Sequence, residues 1–231
     1  MAPTCRPGPD VTKGPQCSNI ASMRRRKGAA FDIIPTFFLL PRDWKDFQAA
    51  VAHFPKRIWI KKPLASSRGR GVSVLARPAK VSQTCKPCLI QHYIRRPLLI
   101  NGMKCDLRLY VAVTSFQPLR VYLYPDGLVR MATTAYKQGK ASLKDRGMHL
   151  TNVSVNKSRP GFKGHEVDGH GSKWSLGVLW AHLAQQGTDV RLLWAQIHSL
   201  VARCMLAVEP KMGQAVRHLP CMHDSQLPHC W

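Results

Sequence analysis

A loop rich in glycine and small residues lies at 59–74, where the chain reads WIKKPLASSRGRGVSV. Gly69 and Gly71 permit positive φ angles and close approach of the backbone, and Ser67 adds little bulk, so successive N–H groups can point at an anion. Basic side chains surround this loop: Lys61, Lys62, Arg68 and Arg70. With apolar, β-forming residues on both sides, the pattern favours a hairpin that covers the phosphates of a nucleotide.

Two other interpretations bear on this loop. A Walker-type phosphate loop requires a glycine, a lysine and a serine or threonine directly before a helix, and no such run occurs in the sequence. A flexible arginine-glycine segment that binds RNA would have a similar composition. The loop taken alone leaves that second interpretation open.

The segment MKCDLRLYVAV at 103–113 alternates between apolar and ionisable residues. A strand would place Cys105, Leu107 and Leu109 on one face, and Lys104, Asp106 and Arg108 in a line on the other. Such a line of charges suits phosphates and their counter-ion. The solvated face of an antiparallel sheet would show the same alternation, so the segment alone does not decide between them.

Two further segments carry polar groups that could hold a ligand. Arg130 lies on the strand predicted after the turn at 125–127. The segment MHLTNVSVNK offers the imidazole of His149, the hydroxyl of Thr151 and the amide of Asn152 for a ribose or a phosphate. A turn in which Thr151 and Asn152 satisfy their own backbone is the structural alternative.

The elements around these residues predict an α/β (α+β) chain with a central antiparallel sheet. Trp44, Phe47, Val51 and Phe54 recur at helical spacing, and Asn101-Gly102 indicates a hairpin. A second hairpin is expected at 119–134, with its turn at 125–127. Helices are expected at 173–186 and at 190–208, where Pro210 would end the second. Residues 1–27 are expected to form a disordered, cationic leader.

Charge and cysteine content restrict the class of protein. Lys and Arg outnumber Asp and Glu by 35 to 12, for a formal charge of +23, so a polyanionic partner or substrate is expected. No apolar run approaches the ~20 residues of a membrane span, and we expect a cytoplasmic chain. The eight cysteines are expected to be reduced thiols, including the CxxC at Cys85 and Cys88. Cys and His residues near the C-terminus lack the spacing of structural zinc sites, and no metal site is predicted.

Several blocks occur in one order over about 23–206: FDIIPTFFLLP, WIKKPLASSRGRGV, LIQHYIRRPLLI, MKCDLRLYVAVTSF, LRVYLYPDGLVRMAT, MHLTNVSVNK and KWSLGVL. Together they resemble the tubulin-tyrosine-ligase-like family, and the glycine loop and YIRRPLLI resemble its polyglutamylase branch. The resemblance implies an ATP-grasp fold and the joining of glutamate to acidic tubulin tails through an acyl phosphate. It also implies ATP and Mg²⁺ as cofactors, and a cytoskeletal location that includes the ciliary basal body.

The resemblance also implies roles for individual residues. Lys62 would contact ATP phosphate, the backbone of 67–71 would cover the phosphates, and Gln91 and Tyr93 would lie on the segment that receives adenine. Lys104 and Arg108 would act at the phosphates and acceptor, together with Arg130, which would hold the acceptor or the intermediate. The remaining members of the nucleotide site would be Asp106, His149, Thr151 and Asn152.

The sequence also departs from the family pattern. The family's metal-binding Asp strand and Glu-x-Asn pair have no match here, and the family's N-terminal domain is also unmatched. We therefore expect a shortened glutamylase with a disordered leader at 1–27, a central subdomain with the lid at 28–88, a truncated C-terminal subdomain at 89–208 and a divergent tail at 209–231. A non-catalytic tubulin-binding or microtubule-binding fragment and a basic nucleic-acid-binding protein are the alternatives, although the second lacks interleaved aromatic residues.

Overall fold

The first of two sheets carries the glycine-rich loop. In the computed structural model, which describes residues 13–75, 78–139, 141–162, 164 and 171–217, this sheet has the order β1-β4-β2-β3 and is antiparallel throughout. The glycine-rich loop connects β2 to β3. The four strands are β1 (Phe37–Leu40), β2 (Trp59–Pro63), β3 (Ser73–Leu75) and β4 (Cys88–His92).

The second sheet has the order β5-β6-β7-β8 and is also antiparallel. Asn101 and Gly102 form the tight turn between β5 and β6, both with positive φ, as the Asn-Gly signal predicts. A long hairpin of β6 and β7 dominates the sheet. The strands are β5 (Leu99–Ile100), β6 (Met103–Phe116), β7 (Leu119–Met131) and β8 (Lys173–Ser175).

Helices flank both sheets. They are α1 (Lys13–Lys27), α2 (Trp44–His53), α3 (Arg146–His149), α4 (Val153–Asn156), α5 (Leu176–Gln185) and α6 (Val190–Arg217), with short 3₁₀ turns at Gly28–Phe31, Pro78–Lys80 and Ala141–Lys144. No helix of the described ranges has the length and apolar character needed to cross a membrane. The mixed α/β class, the antiparallel sheets and the flanking helices confirm the fold prediction and are consistent with an ATP-grasp-like arrangement.

Each sheet has its own apolar core. In the first sheet Phe47 of α2 packs on Trp59 with ring centroids 5.9 Å apart, and both side chains are almost fully buried. In the second, Val129 of β7 lies in a cluster with Trp174 and Leu179. The alternating apolar positions of β6 face this cluster, which leaves its ionisable positions on the opposite face.

The leader differs most from the sequence-based expectation. Residues 1–12 lie outside the described part of the chain, but α1 is a helix and packs against α6. Ile20 is buried there with Phe31 and Ala207. The segment shows no clear helical period of apolar residues, so nothing local signals its burial. The expectation of disorder up to residue 27 is wrong for this helix.

The structure also corrects the predicted position of a turn and the predicted end of a helix. The segment at 125–127 is not a hairpin turn, because β7 runs through it. Leu109 pairs with Gly127 but Val111 pairs with Leu123, so β7 has more residues than β6 between these two pairs and forms a bulge there. Asp126 there accepts hydrogen bonds from the N–H groups of Gly127 and Leu176. The β6–β7 turn lies instead at 117–118.

The predicted end of the last helix is also wrong, because α6 continues through Pro210 to Arg217. Gly213 packs against Gln117 at the tip of the β6–β7 hairpin, and Ala207 and Val208 are buried. These tertiary contacts outweigh the loss of one helical hydrogen bond at the proline. Residues 218–231 of the predicted tail lie outside the described residues.

Candidate functional site

A cavity of about 600 Å³ lies between the glycine-rich loop, hereafter the lid (residues 64–72), and the ionisable face of the second sheet. Most of the residues singled out from the sequence line it. They are Lys62, Ser67, Arg68, Gly69, Gln91, Asp106, His149, Thr151 and Asn152. A volume of this size is in the usual range for a small-molecule site.

Lys62 is the penultimate residue of β2, just before the lid, and it lines the cavity. Its Nζ donates to Oε1 of Gln91 on the neighbouring strand β4, at 2.8 Å. Gln91 is itself buried and donates to the carbonyl of Pro35 at 3.4 Å. Burial lowers the pKa of Lys62, and the nearby cation Lys13 acts in the same direction. The ammonium therefore has a neutral hydrogen-bond partner, and an anion in the cavity would stabilise its charge.

Lys104 occupies a similar environment in the second sheet. Its Nζ donates to the hydroxyl of Tyr93 and to the carbonyl of His149, both at 3.1 Å. Burial lowers the pKa of Lys104 to about 8, and the opposing effect of Asp106 does not offset it. At neutral pH this lysine remains mostly protonated, again with neutral oxygens as its direct partners.

His149 is buried and is hydrogen-bonded to both Tyr93 and Lys104. Its Nε2 lies 3.0 Å from the carbonyl of Ser142, which can only accept, so Nε2 carries the proton. Its Nδ1 then accepts from the hydroxyl of Tyr93 at 2.8 Å. Burial lowers the pKa of His149 and favours this neutral ring. The imidazole thus orients Tyr93, whose oxygen in turn accepts from Lys104.

Asp106 and Arg130 form a bidentate ion pair on facing strands of the β6–β7 hairpin. Arg130 donates from Nε and from an Nη nitrogen to the two carboxylate oxygens, at 2.7 and 2.9 Å. The hydroxyl of Thr151 also donates to Asp106. Three predicted site residues are therefore brought together, but the charges of Asp106 and Arg130 largely neutralise each other.

The lid is held against α3 and α4 by its own backbone carbonyls. Arg68 and Gly69 both have positive φ, and their carbonyls accept from Ser154 at 2.7 Å and from Arg146 at 2.9 Å. A Cβ on Gly69 would lie 2.6 Å from the side-chain oxygen of Asn152. Glycine is therefore required at position 69 for both conformation and space.

The sequence-based interpretation missed the contribution of α1. Lys13, its first residue, donates to the carbonyl of Ser66 at 2.7 Å and lies 3.5 Å from the carbonyl of Pro63. Cys17, one turn later, also lines the cavity, and burial raises its pKa. Because α1 carries no local pattern that points to the lid, only the packing of α1 on α6 could have identified these residues.

Other predicted residues lie apart from the cavity lining. Arg70 and Arg108 are exposed, and Gly71 is exposed on the outer side of the lid beside Pro63. Tyr93, Lys104 and Arg130 are not lining residues but contact them: Tyr93 and Lys104 are hydrogen-bonded to His149, and Arg130 to Asp106. The roles that the resemblance implies for all these residues stay predictions.

The donor set does not fit a magnesium site. Asp106 is the one carboxylate among the described residues that line the cavity, and its oxygens already accept from Arg130 and Thr151. Nowhere in the described ranges do three or more His, Cys, Asp or Glu side chains group as they would around a metal ion. Mg²⁺ requires several oxygen ligands in octahedral geometry.

Comparison with known proteins shows the family of the chain. The model of the tubulin-tyrosine ligase family matches residues 11–226. The chain belongs to the tubulin-tyrosine ligase family. The match begins before Lys13, so α1 and its contact with the lid fall inside the family region.

Individual relatives are similar over most of this chain. Tubulin monoglutamylase TTLL4 of Mus musculus is 40% identical over 195 residues, which cover 83% of this chain and 16% of the relative. Tubulin polyglutamylase TTLL5 of Homo sapiens is 39% identical over 203 residues, covering 86% and 16%. Probable tubulin polyglutamylase TTLL2 of Homo sapiens is 39% identical over 204 residues, covering 84% and 34%. The chain therefore spans between about a sixth and a third of these relatives.

Proposed function

We propose that this chain takes part in the ATP-dependent ligation of glutamate to the acidic tails of tubulin by an acyl-phosphate mechanism. One observation carries the nucleotide part of the proposal: Lys62 and Lys104 are partly buried cations whose hydrogen-bond partners are neutral oxygens. Buried charges in proteins are ordinarily paired. A polyphosphate under the lid would supply the missing negative charge.

The residues divide the work of holding such a nucleotide. Lys62, which lines the cavity, would contact phosphate oxygens, Lys104 would add positive charge from next to the lining residue His149, and the lid backbone at 67–71 would cover the phosphates. Gln91, already fixed by Lys62 and by the carbonyl of Pro35, lies on the strand that would receive adenine. Phosphoryl transfer depends mainly on such positioning and charge neutralisation.

Support for the tubulin part comes from the family and from the charge. The relatives named above are glutamylases of tubulin, and the formal charge of +23 suits an acidic peptide as partner. Arg108 is exposed on the strand next to the Asp106–Arg130 pair, where an acidic chain approaching the cavity would meet it.

A second candidate function is non-catalytic binding of tubulin. It is favoured by the Asp106 carboxylate, which is occupied by Arg130 and Thr151 and so offers little to a magnesium ion. Phosphoryl transfer without carboxylate-held Mg²⁺ loses its main charge neutraliser. A non-catalytic tubulin-binding protein would use the basic surface and the lid but would not catalyse ligation.

The test is incorporation of labelled glutamate into tubulin by this chain with ATP and Mg²⁺, with Lys62→Ala as the control variant. Incorporation that disappears in the variant would support ligation. Salt-sensitive tubulin binding without incorporation would support the binder instead. RNA binding far tighter than tubulin binding at matched salt would refute both and favour a nucleic-acid partner.

A further inference from the structure

Two thiols meet at the start of β4, outside the cavity described above. The Sγ atoms of Cys85 and Cys88 lie 3.9 Å apart. Cys88 is the first residue of β4 and is only 1% exposed, whereas Cys85 in the preceding loop is half-buried. The pair therefore presents one sulfur towards solvent and keeps the second directly behind it.

The backbone holds both cysteines in this position. Cys85 closes a turn in which its N–H donates to the carbonyl of Ser82 at 3.2 Å. Cys88 is held from both sides, since it is in register with Leu40 of β1 and with Pro63 of β2. The sulfurs are thus brought together by the fold, and their approach requires little further ordering of the chain.

The surroundings give the two sulfurs different reactivity. Burial and the neighbouring Cys85 raise the pKa of Cys88 to about 11, with Lys61 acting in the opposite direction. Cys88 therefore stays a protonated thiol at neutral pH. Cys85 is the sulfur that a dissolved reagent meets first, because it is half-buried in a loop beside the exposed Lys86, whereas Cys88 is buried.

We propose that Cys85 and Cys88 are a redox-active dithiol that closes to an intramolecular disulfide by exchange with a low-molecular-weight disulfide. The Cys85 thiolate attacks one sulfur of the reagent, the reagent's S–S bond breaks, and one reagent thiolate leaves. The Cys88 thiol then loses its proton to solvent and attacks the Cys85 sulfur, and the second reagent thiolate leaves. Two protein thiols are oxidised, and one reagent disulfide is reduced to two thiols.

The proximity of Cys88 determines which product accumulates. A mixed disulfide at Cys85 has its resolving thiol within contact distance, so ring closure is intramolecular and proceeds at a high effective concentration. Cys17 and Cys204 are half-buried thiols elsewhere in the chain and serve as internal comparisons. At those positions exchange would stop at the mixed disulfide.

Glutathione disulfide is the probe for the full chain. After an acid quench, alkylation and trypsin digestion, residues 81–95 form one peptide that contains both cysteines, because the Lys86–Pro87 bond resists cleavage. This peptide is expected to lose the mass of two hydrogens and to resist alkylation, while the peptides of Cys17 and Cys204 keep the alkyl group or carry one glutathione. Failure of the 81–95 peptide to lose two hydrogens, under conditions that oxidise the denatured chain, would overturn the proposal.

A variant pair separates ring closure from simple exposure. In Cys88→Ala the glutathione adduct at Cys85 is expected to accumulate at least ~10-fold above its wild-type level, because the resolving thiol is gone. Cys85→Ser should leave Cys88 alkylatable only after unfolding. Equal adduct in wild type and Cys88→Ala would show that the ring does not form. If Cys88→Ala unfolds, the same comparison is made with Cys88→Val, which retains an apolar side chain of similar size.

Discussion

The two sheets differ in how the charged side chains that they bring to the site are paired. The first sheet supplies Lys62, whose partner Gln91 is neutral, and it supports the lid. The second supplies Asp106 and Arg130, which neutralise each other across the β6–β7 hairpin. Lys104 belongs to the second sheet but resembles Lys62, since it also contacts neutral oxygens. The comparison identifies Lys62 and Lys104, rather than the paired charges of Asp106 and Arg130, as the positive charges without an ionic partner in these contacts.

The largest expected effect comes from removing the charge of the first sheet. Lys62→Ala should weaken ATP binding by about 10-fold to 100-fold, because a charge-assisted hydrogen bond to a buried anion is worth about 1.5–3 kcal/mol. The measurement is titration calorimetry or competition with a fluorescent nucleotide. Lys61→Ala is the matched control, since Lys61 is the adjacent lysine on the opposite face of β2 and should change the Kd little. Equal losses in both variants would refute the distinction between the two lysines.

Mutations of the ion pair in the second sheet should change the free energy of unfolding rather than ATP binding. In a double-mutant cycle, Asp106→Asn and Arg130→Gln should show a coupling free energy of about 1–2 kcal/mol, because the pair is bidentate but partly exposed. Urea denaturation of the four chains measures it. Arg42→Gln with Asp43→Asn provides an ion pair whose arginine is far more exposed, and the coupling there should be smaller. A coupling near zero at Asp106 and Arg130 would mean that Arg130 is free to bind a ligand.

The pH dependence of ATP binding should reveal Lys104. Its pKa of about 8 in the fold lies below the ordinary 10.5, so it loses its charge as pH rises through 8. Affinity should therefore fall several-fold between about pH 7 and 9, as one cationic contact is lost. Tyr93, Asp106, Lys62 and His149 also face this group. Of these, Tyr93 has a pKa raised by burial, and His149 is already neutral at pH 7.

Lys104→Arg provides the check on that assignment, because a guanidinium keeps its charge throughout this range. The variant should bind ATP with a flatter pH profile. The effect on folding has the opposite sign: the desolvated charge of Lys104 disfavours the native state below pH 8, and its contribution becomes more favourable as pH rises from 8 towards 10.5. A wild-type profile that is flat from pH 7 to 9 would contradict the assignment.

The smallest effect is expected at α1, which touches both the lid and α6. Lys13→Ala should raise the rate of tryptic cleavage within the lid by a few-fold, because it removes the hydrogen bond to the carbonyl of Ser66. Arg26→Ala, at the exposed end of the same helix, is the control and should leave that rate unchanged. Equal cleavage of wild type and Lys13→Ala would show that α1 does not restrain the lid.

Local signals predicted much of the fold correctly. The helical spacing of Trp44, Phe47 and Val51 corresponds to α2, and Asn101-Gly102 corresponds to the turn before β6. Both signals act within a few residues, so no distant partner is needed to read them. The turn predicted at 125–127 failed for the opposite reason, since pairing with β6 continued the strand through a segment whose composition favours a turn.

The candidate site could be predicted by residue type but not by pairing. Lys62, Asp106, Thr151 and Asn152 were found from motifs and do line one cavity. Nothing in the sequence shows that Asp106 would be neutralised by Arg130, because that depends on the strand register. Nor does any local pattern identify Lys13, whose lid contact joins residues more than fifty positions apart.

The sequence by itself determined the small, glycine-containing lid and the alternation of apolar and ionisable residues along β6. Glycine permits backbone conformations that other residues avoid, and a strand places alternate residues on opposite faces wherever it lies. The tertiary structure alone decided which charges remain unsatisfied and that α1 reaches the lid. Both depend on which distant groups share a desolvated space, and burial, which shifts the pKa of Lys62 and Lys104, exists only once the two sheets enclose the cavity.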